Sequence, residues 1–385
     1  LHRVFSLRFD GVESGFHLPI RHRMNSMASK TNIDIRCFIV FTMVALNASL
    51  LVAADQMPSN WIESETGTNV SLRGLSAVDD EVIWASGAAA TVIRSTDGGE
   101  TWKACGPEGY GELEFRCVCA FSANVACIAS AGTPAVLLRT EDGGDSWMET
   151  YRAESDAAFF DAMKFWDADR GMAVSDPVAG RLLVVETKDG GKTWQKLNSQ
   201  LPLARTGEAA FAASNSSLLL GENGRLWFGT GGAESDTSRL YARSGWNEPW
   251  VTVNAPMPSS QASGIFAICR GPESDSHDGS GPLVCVGGDY RATETSEITA
   301  CISHDNGGSW RTVAKQPASF RSAVVSIPAD SSLAKGMIAV GPAGTDFSAD
   351  GDTWQPLSDT GFHCLSVGKT QIFACGSDGR FGRLQ

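Results

Sequence analysis

One octapeptide, repeated along the chain, restricts the possible folds more than anything else in the sequence. Ser95-Thr96-Asp97-Gly98-Gly99-Glu100-Thr101-Trp102 returns as Thr140 to Trp147, Thr187 to Trp194 and Ser303 to Trp310. A copy one residue shorter runs from Ser348 to Trp354, and a worn one ends at Trp250 after Arg243-Ser244-Gly245. Successive tryptophans lie 45, 47, 56, 60 and 44 residues apart, close to the ~40 to 50 residues of one propeller blade, with loop insertions in two periods. Each period reads as four short apolar strands separated by turns, with the octapeptide between the third and the fourth. The last period, Phe362 to Leu384, holds three strands and no octapeptide, while Asn60-Trp61-Ile62-Glu63-Ser64 resembles the strand that follows one, as in Thr101-Trp102-Lys103-Ala104-Cys105. The expected fold is all-β: residues 55–385 form a seven-bladed β-propeller of four-stranded blades, closed by an N-terminal strand that joins the last blade. Closure removes the sheet edges that otherwise pair with other chains.

The octapeptide itself reads as a hairpin clasp. The carboxylates of Asp97, Asp142, Asp189, Asp305 and Asp350 can accept hydrogen bonds from turn amides, the glycines can take positive φ, and Trp102, Trp147, Trp194, Trp310 and Trp354 can wedge between adjacent sheets. No copy brings together a nucleophile, a base and an oxyanion donor, so these residues are assigned to structure rather than catalysis.

Residues 1–54 read as targeting sequence. Lys30 and Arg36 precede the apolar run Cys37 to Ala54, which ends in Val52-Ala53-Ala54, the pattern of a cleaved signal peptide. Met24 and Met27 stand at the usual distance upstream of that run, so residues 1–23 read as an over-extended start. The expected protein is therefore exported, periplasmic or secreted, and no longer tied to the membrane. A retained anchor is the competing reading. Removing the segment leaves 25 basic against 41 acidic residues, a net charge of −16, which disfavours nucleic acid and anionic membranes as partners. Nine cysteines follow Ala54, an odd number, most of them inside apolar strand patterns. They read as small buried side chains, and the sequence does not say which of them would pair. A monomer without cofactor or metal is expected.

Aligned by apolar pattern, the innermost strands give one column that is polar in every blade: Arg73, Arg116, Asp161, Glu208, Ser263, Arg321 and His363. The next column is small throughout, as crowding near a propeller axis requires. The polar column is expected to circle one mouth of the central channel. The turns after the second strands would add Asp176, Glu222, Asp289, Tyr290 and Arg291 to that face, with the octapeptides on the opposite one. Two readings stand side by side: the charges pair around the channel and stabilise the ring, or the arginines converge on an anionic group, a carboxylate, phosphate or acidic peptide side chain.

Other motifs are weak. Gly229-Thr230-Gly231-Gly232 lacks the dinucleotide fingerprint and reads as a loop. Asp275-Ser276-His277-Asp278-Gly279-Ser280-Gly281 reads as a solvated insertion. There is no phosphate loop, zinc-protease helix or nucleophile elbow. The repeated octapeptides are Asp boxes, and together with Leu72-Arg73-Gly74-Leu75-Ser76, Phe211-Ala212-Ala213-Ser214 and Gly287-Gly288-Asp289-Tyr290-Arg291 they make the chain resemble BNR/Asp-box proteins of the photosystem II stability and assembly factor kind, from about residue 59 onward. That resemblance implies an exported, non-enzymatic propeller that holds a protein partner of the cell envelope during assembly. More distantly the chain is similar to sialidase-type propellers, which would imply Arg73, Arg116 and Arg321 as a carboxylate clamp. Leu72-Arg73-Gly74-Leu75 departs from the aromatic-Arg-Ile-Pro signature of that group, and Tyr290 is the one nearby tyrosine. A redox enzyme is the third reading, supported by no fingerprint.

Overall fold

Every period of the sequence folds into one antiparallel four-stranded sheet, and seven such sheets are present among the described residues. The structure is a computed structural model describing residues 56–197, 201–272, 281–292 and 297–385. The segment carrying the expected signal peptide and the Asp275–Ser280 part of the insertion loop lie outside them. Blade 1 consists of Leu72–Ala77, Ile83–Gly87, Val92–Ser95 and Lys103–Ala104, from the inside outward. Blades 2 and 3 begin with Phe115–Ala120 and Phe160–Phe165, blade 4 with Leu218–Leu220, blade 5 with Ser263–Arg270, and blades 6 and 7 with Ala323–Ser326 and Cys364–Val367. Second strands are buried along nearly their whole length, whereas the outermost strands are largely exposed. The core is thus a set of apolar layers between neighbouring sheets. No helix of the described residues is long and apolar enough to cross a membrane.

The ring closes as the sequence implies. Trp61–Glu65 pairs antiparallel with Arg380–Leu384, Trp61 opposite Leu384, and forms the outer strand of blade 7. Trp61 there takes the part of a box tryptophan: its ring packs 4.8 Å from Phe362 and its Nε1 donates to Thr345 Oγ1 of blade 6 at 2.9 Å.

The boxes are clasps in the structure too. In the first, Asp97 Oδ1 accepts from Ser95 Oγ at 2.7 Å and from the Thr101 amide at 2.9 Å, while Ser95 Oγ receives the Gly99 amide at 2.9 Å. The same bonds recur around Asp142, Asp189 and Asp305, with a shortened version at Asp350. Gly98 and Gly99 take φ of 72° and 90°, a region open to glycine at little cost. These bonds to the ionised carboxylate hold Asp97 and Asp142 down at about 2. The tryptophans wedge between blades: Trp102 meets Phe381 of blade 7 edge-on at 4.9 Å, and Trp147 meets Trp84 of blade 1 at 6.3 Å.

The centre of the ring holds a feature the sequence reading did not contain. Between the bridge Ala209–Gly231 and the inner strand of blade 4, residues Phe211 to Ser216 leave the blade and cross the axis. Asn215 Oδ1 accepts the Met163 amide of blade 3 at 2.7 Å, and its Nδ2 donates to Val118 O of blade 2 at 3.2 Å. Ser214 Oγ donates to Ser322 O of blade 6 at 2.7 Å, and Ser216 O accepts the Ile268 amide of blade 5. The segment plugs the channel and cross-braces four other blades. Gly231 and Gly264 permit its neighbourhood: a Cβ on Gly231 would meet Ser263 O at 2.4 Å and Gly264 Cα at 2.8 Å. Gly229 of the expected loop ends a strand, Leu226–Gly229, and Gly231 pairs on both sides.

Candidate functional site

The polar residues of blades 1 to 3 owe their direction to β-bulges. Register shifts between Leu72 and Gly74, between Phe115 and Cys117, and between Phe160 and Ala162 leave Arg73, Arg116 and Asp161 as the extra residues. A bulge twists the strand locally and re-aims the side chain it carries, here at the plugged mouth. Asp176 occupies a second bulge, between Ser175 and Pro177 of the next strand of blade 3.

Arg73 is half-buried and makes no hydrogen bond or ion pair with any described residue. Burial first, then the charge of Arg116, lower its pKa, and Glu114 opposes them. Arg116 itself pairs with Glu114 and donates to Ala212 O of the plug at 3.4 Å. His363 of blade 7 lies against the same pair. Burial, then Arg73 and Arg116, push it down to about 3, so it is neutral, and its Nε2 contacts Ser377 Oγ at 2.9 Å. Next to Arg116 the Asp161 carboxyl lies close to that of Asp176, and neither of its oxygens has a hydrogen-bond partner among the described residues. Asp161 is fully buried, and burial followed by the Asp176 charge raises it well above the carboxylate range, while burial raises Asp176 to about 6. The mouth therefore carries arginines on blades 1 and 2, a neutral histidine on blade 7, and on blade 3 a protonated Asp161 beside an Asp176 that ionises as pH rises through about 6.

The rest of the expected ring is not assembled. Arg321 is 2% exposed and turns into blade 6, where Nε meets Asp346 Oδ2 at 2.5 Å and NH1 donates to Ser319 Oγ at 2.7 Å and Phe320 O at 2.9 Å. A buried guanidinium satisfied in this way is a structural ion pair, and the three-arginine clamp lacks its third member. Glu208 is not on an inner strand, since that strand of blade 4 starts ten residues later. It accepts from Arg239 at 2.8 Å, Thr230 Oγ1 at 2.7 Å, the Arg205 amide at 2.6 Å and Tyr241 OH at 3.2 Å. Ser263 is displaced by three positions: the bulge of blade 5 falls between Ile265 and Ala267, so Phe266 is the counterpart of Arg73, and Ser263 bonds Ser260 at 2.9 Å. Glu222, in the turn after the first strand of blade 4, lies on the box face beside Trp166 and Arg225, since the inner strand was misassigned.

Asp289, Tyr290 and Arg291 do follow the second strand of blade 5. Asp289 Oδ1 accepts the Arg291 amide at 2.8 Å, and the Arg291 guanidinium lies 5.6 Å from the Tyr290 ring. Tyr290, 43% exposed, stands edge-on to Phe211 of the plug and to Phe266, which stack on each other at 4.1 Å. This aromatic platform is the part that sequence reasoning missed. Its signal was the unexplained phenylalanine in Phe211-Ala212-Ala213-Ser214. Among the described residues no group of three or more His, Cys, Asp or Glu side chains could hold a metal.

A family model described as photosynthesis system II assembly factor YCF48 matches residues 53–155. No curated protein sequence matches the chain. Among solved structures, YCF48 bound to a D1 peptide is similar with a TM-score of 0.58 at 18% identity, over 87% of this chain and 98% of that one. YCF48 from Cyanidioschyzon merolae gives 0.54 at 18%, over 84% and 98%. An ancestral GH74 enzyme gives 0.57 at 13%, over 84% of this chain and 46% of that one. With its seven blades and its boxes, the chain is an Asp-box repeat propeller that resembles the photosystem II assembly-factor family and shares its fold, more distantly, with a GH74 enzyme.

Proposed function

We propose that the protein is a non-enzymatic binding scaffold that holds an acidic segment of a partner protein at the Arg73–Arg116 mouth. The observation that carries this reading is Arg73: a half-buried guanidinium without a hydrogen-bond or ion-pair partner among the described residues, beside a second arginine and a neutral histidine. Such a cation is incompletely solvated and gains from a carboxylate that can bond it bidentately. The plug gives the mouth a floor, and the half-exposed Phe211–Tyr290 platform offers apolar surface next to it. Likeness to a YCF48 structure bound to a peptide supports a protein partner. The loss of Arg321 to Asp346 counts against sialidase-type chemistry.

Binding of fluorescent acidic peptides, read by anisotropy, tests this. Arg73→Ala should weaken the best peptide at least about tenfold, since charge-assisted bonds are worth about 1.5–3 kcal/mol each, and leave the melting temperature nearly unchanged. Equal affinity for the variant would remove the mouth from the function.

A further inference from the structure

Six of the nine cysteines after Ala54 stand in cross-strand register. Cys119 is opposite Cys127 in blade 2, Cys285 opposite Cys301 in blade 5, and Cys364 opposite Cys375 in blade 7. Directly opposed residues of an antiparallel pair project to the same face with Cα atoms about 4.5–5.5 Å apart, inside the ~4.4–6.8 Å that a disulfide spans. Register alone does not decide pairing, because the sulfurs must also face each other. In blade 7 they do: Cys364 Sγ and Cys375 Sγ are 2.7 Å apart. In blade 5 Cys285 and Cys301 stand directly opposite with both side chains fully buried, close enough for Cys301 to add to the rise of the Cys285 thiol. In blade 2 they turn apart, Cys119 Sγ toward Met163 O at 3.0 Å and Cys127 Sγ toward Gly190 O at 3.7 Å.

We propose that Cys285–Cys301 and Cys364–Cys375 are disulfide sites, closed by thiol–disulfide exchange with a dithiol oxidoreductase in its disulfide form, or with glutathione disulfide, while the blades fold. In each exchange one protein thiolate attacks a sulfur of the donor and breaks the donor S–S bond, and the released donor thiolate takes up a proton. The second protein thiol then loses its proton and displaces the remaining donor sulfur as a thiolate, which is protonated in turn. Two protein thiols are oxidised and one donor disulfide is reduced to two thiols. The timing follows from burial. All four cysteines are inaccessible in the closed ring, and burial drives Cys285 and Cys375 well above the ordinary thiol range, which leaves too little thiolate for attack on a donor. The exchange therefore belongs to the folding chain, and the finished bonds are shielded from reductant. The remaining cysteines, Cys105, Cys117, Cys119, Cys127 and Cys269, stay thiols, which accounts for the odd number.

The test is to refold the full chain with and without glutathione disulfide, unfold it, alkylate and map tryptic peptides. Cleavage after Arg291 and after Lys369 puts the members of each pair on different peptides. The expected result is two linked peptide pairs, Cys285 with Cys301 and Cys364 with Cys375, with all other cysteines alkylated and a melting temperature several degrees above that of the reduced protein. Alkylation of all ten cysteines of the chain, or linkage through Cys119 or Cys127, would overturn the proposal. To separate a lost bond from a lost fold, Cys364→Ser/Cys375→Ser should melt lower than wild type under oxidising conditions and close to reduced wild type under reducing ones. Equal lowering under both would mean that the two thiols act as packing and nothing more.

Discussion

The acid pair on blade 3 sets the behaviour of single residues at the mouth. Asp176, raised to about 6 by burial, holds a proton that the unfolded chain, with its carboxyl near the ordinary 3.8, has already released. The folded state is therefore favoured below about pH 4, and this contribution is lost as pH rises through about 6. Asp176→Asn removes the titration while keeping an oxygen to accept the Ala210 amide, which now bonds Asp176 at 2.8 Å. The variant should be about 2–3 kcal/mol more stable than wild type at pH 7.5 and equal to it near pH 3.5. Urea melts at the two values measure this, and a constant difference would place the effect elsewhere. Arg73, Arg116 and Asp161 were legible as neighbours because one polar residue before a small one recurs at each bulge, and His363 precedes the small Cys364 in the same way without a bulge. What the alignment did not show is which charges are consumed inside their own blade. Arg321 and Glu208 find partners on second and third strands, Asp346, Arg239 and Thr230, and an apolar pattern does not show where a neighbouring strand will place its acids or bases.

The plug is the element that distinguishes this ring from a generic propeller. Asn215 takes φ of 56°, is 2% exposed, and satisfies one backbone donor and one acceptor on two blades. Asn215→Ala would leave the Met163 amide and the Val118 carbonyl without their partner and put alanine into a left-handed conformation it disfavours, at a cost of about 2–4 kcal/mol. Asn215→Asp, which keeps the acceptor and loses the donor, should cost less than the alanine change. Denaturant titration of the two variants checks the order. The sequence hid this element for a physical reason: in blade 4 the apolar segment before the excursion, Ala209-Ala210, mimics an inner strand, and the true one, Leu218–Leu220, is three residues long. The boxes were legible for the converse reason. The bonds their aspartates accept are local, spanning two to four residues, so the clasp specifies its own geometry wherever the motif occurs.

At the scale of the whole molecule, the ring depends on one strand that joins the two ends of the propeller. Deleting residues 55–65 would strip the Arg380–Leu384 edge of its partner and remove Trp61 from the layer between blades 6 and 7. The deleted protein should lose its cooperative melt or self-associate through the bared edge, as read by calorimetry and light scattering, and an unchanged monomeric melt would refute closure by this strand. The plug has a topological consequence for anything the protein holds. A ring with an open axis is a tube through which an extended chain can be threaded, whereas a ring floored by Phe211 to Ser216 is a cup. A segment that enters the mouth must end there or double back on itself, and whatever occupies the box face never meets it.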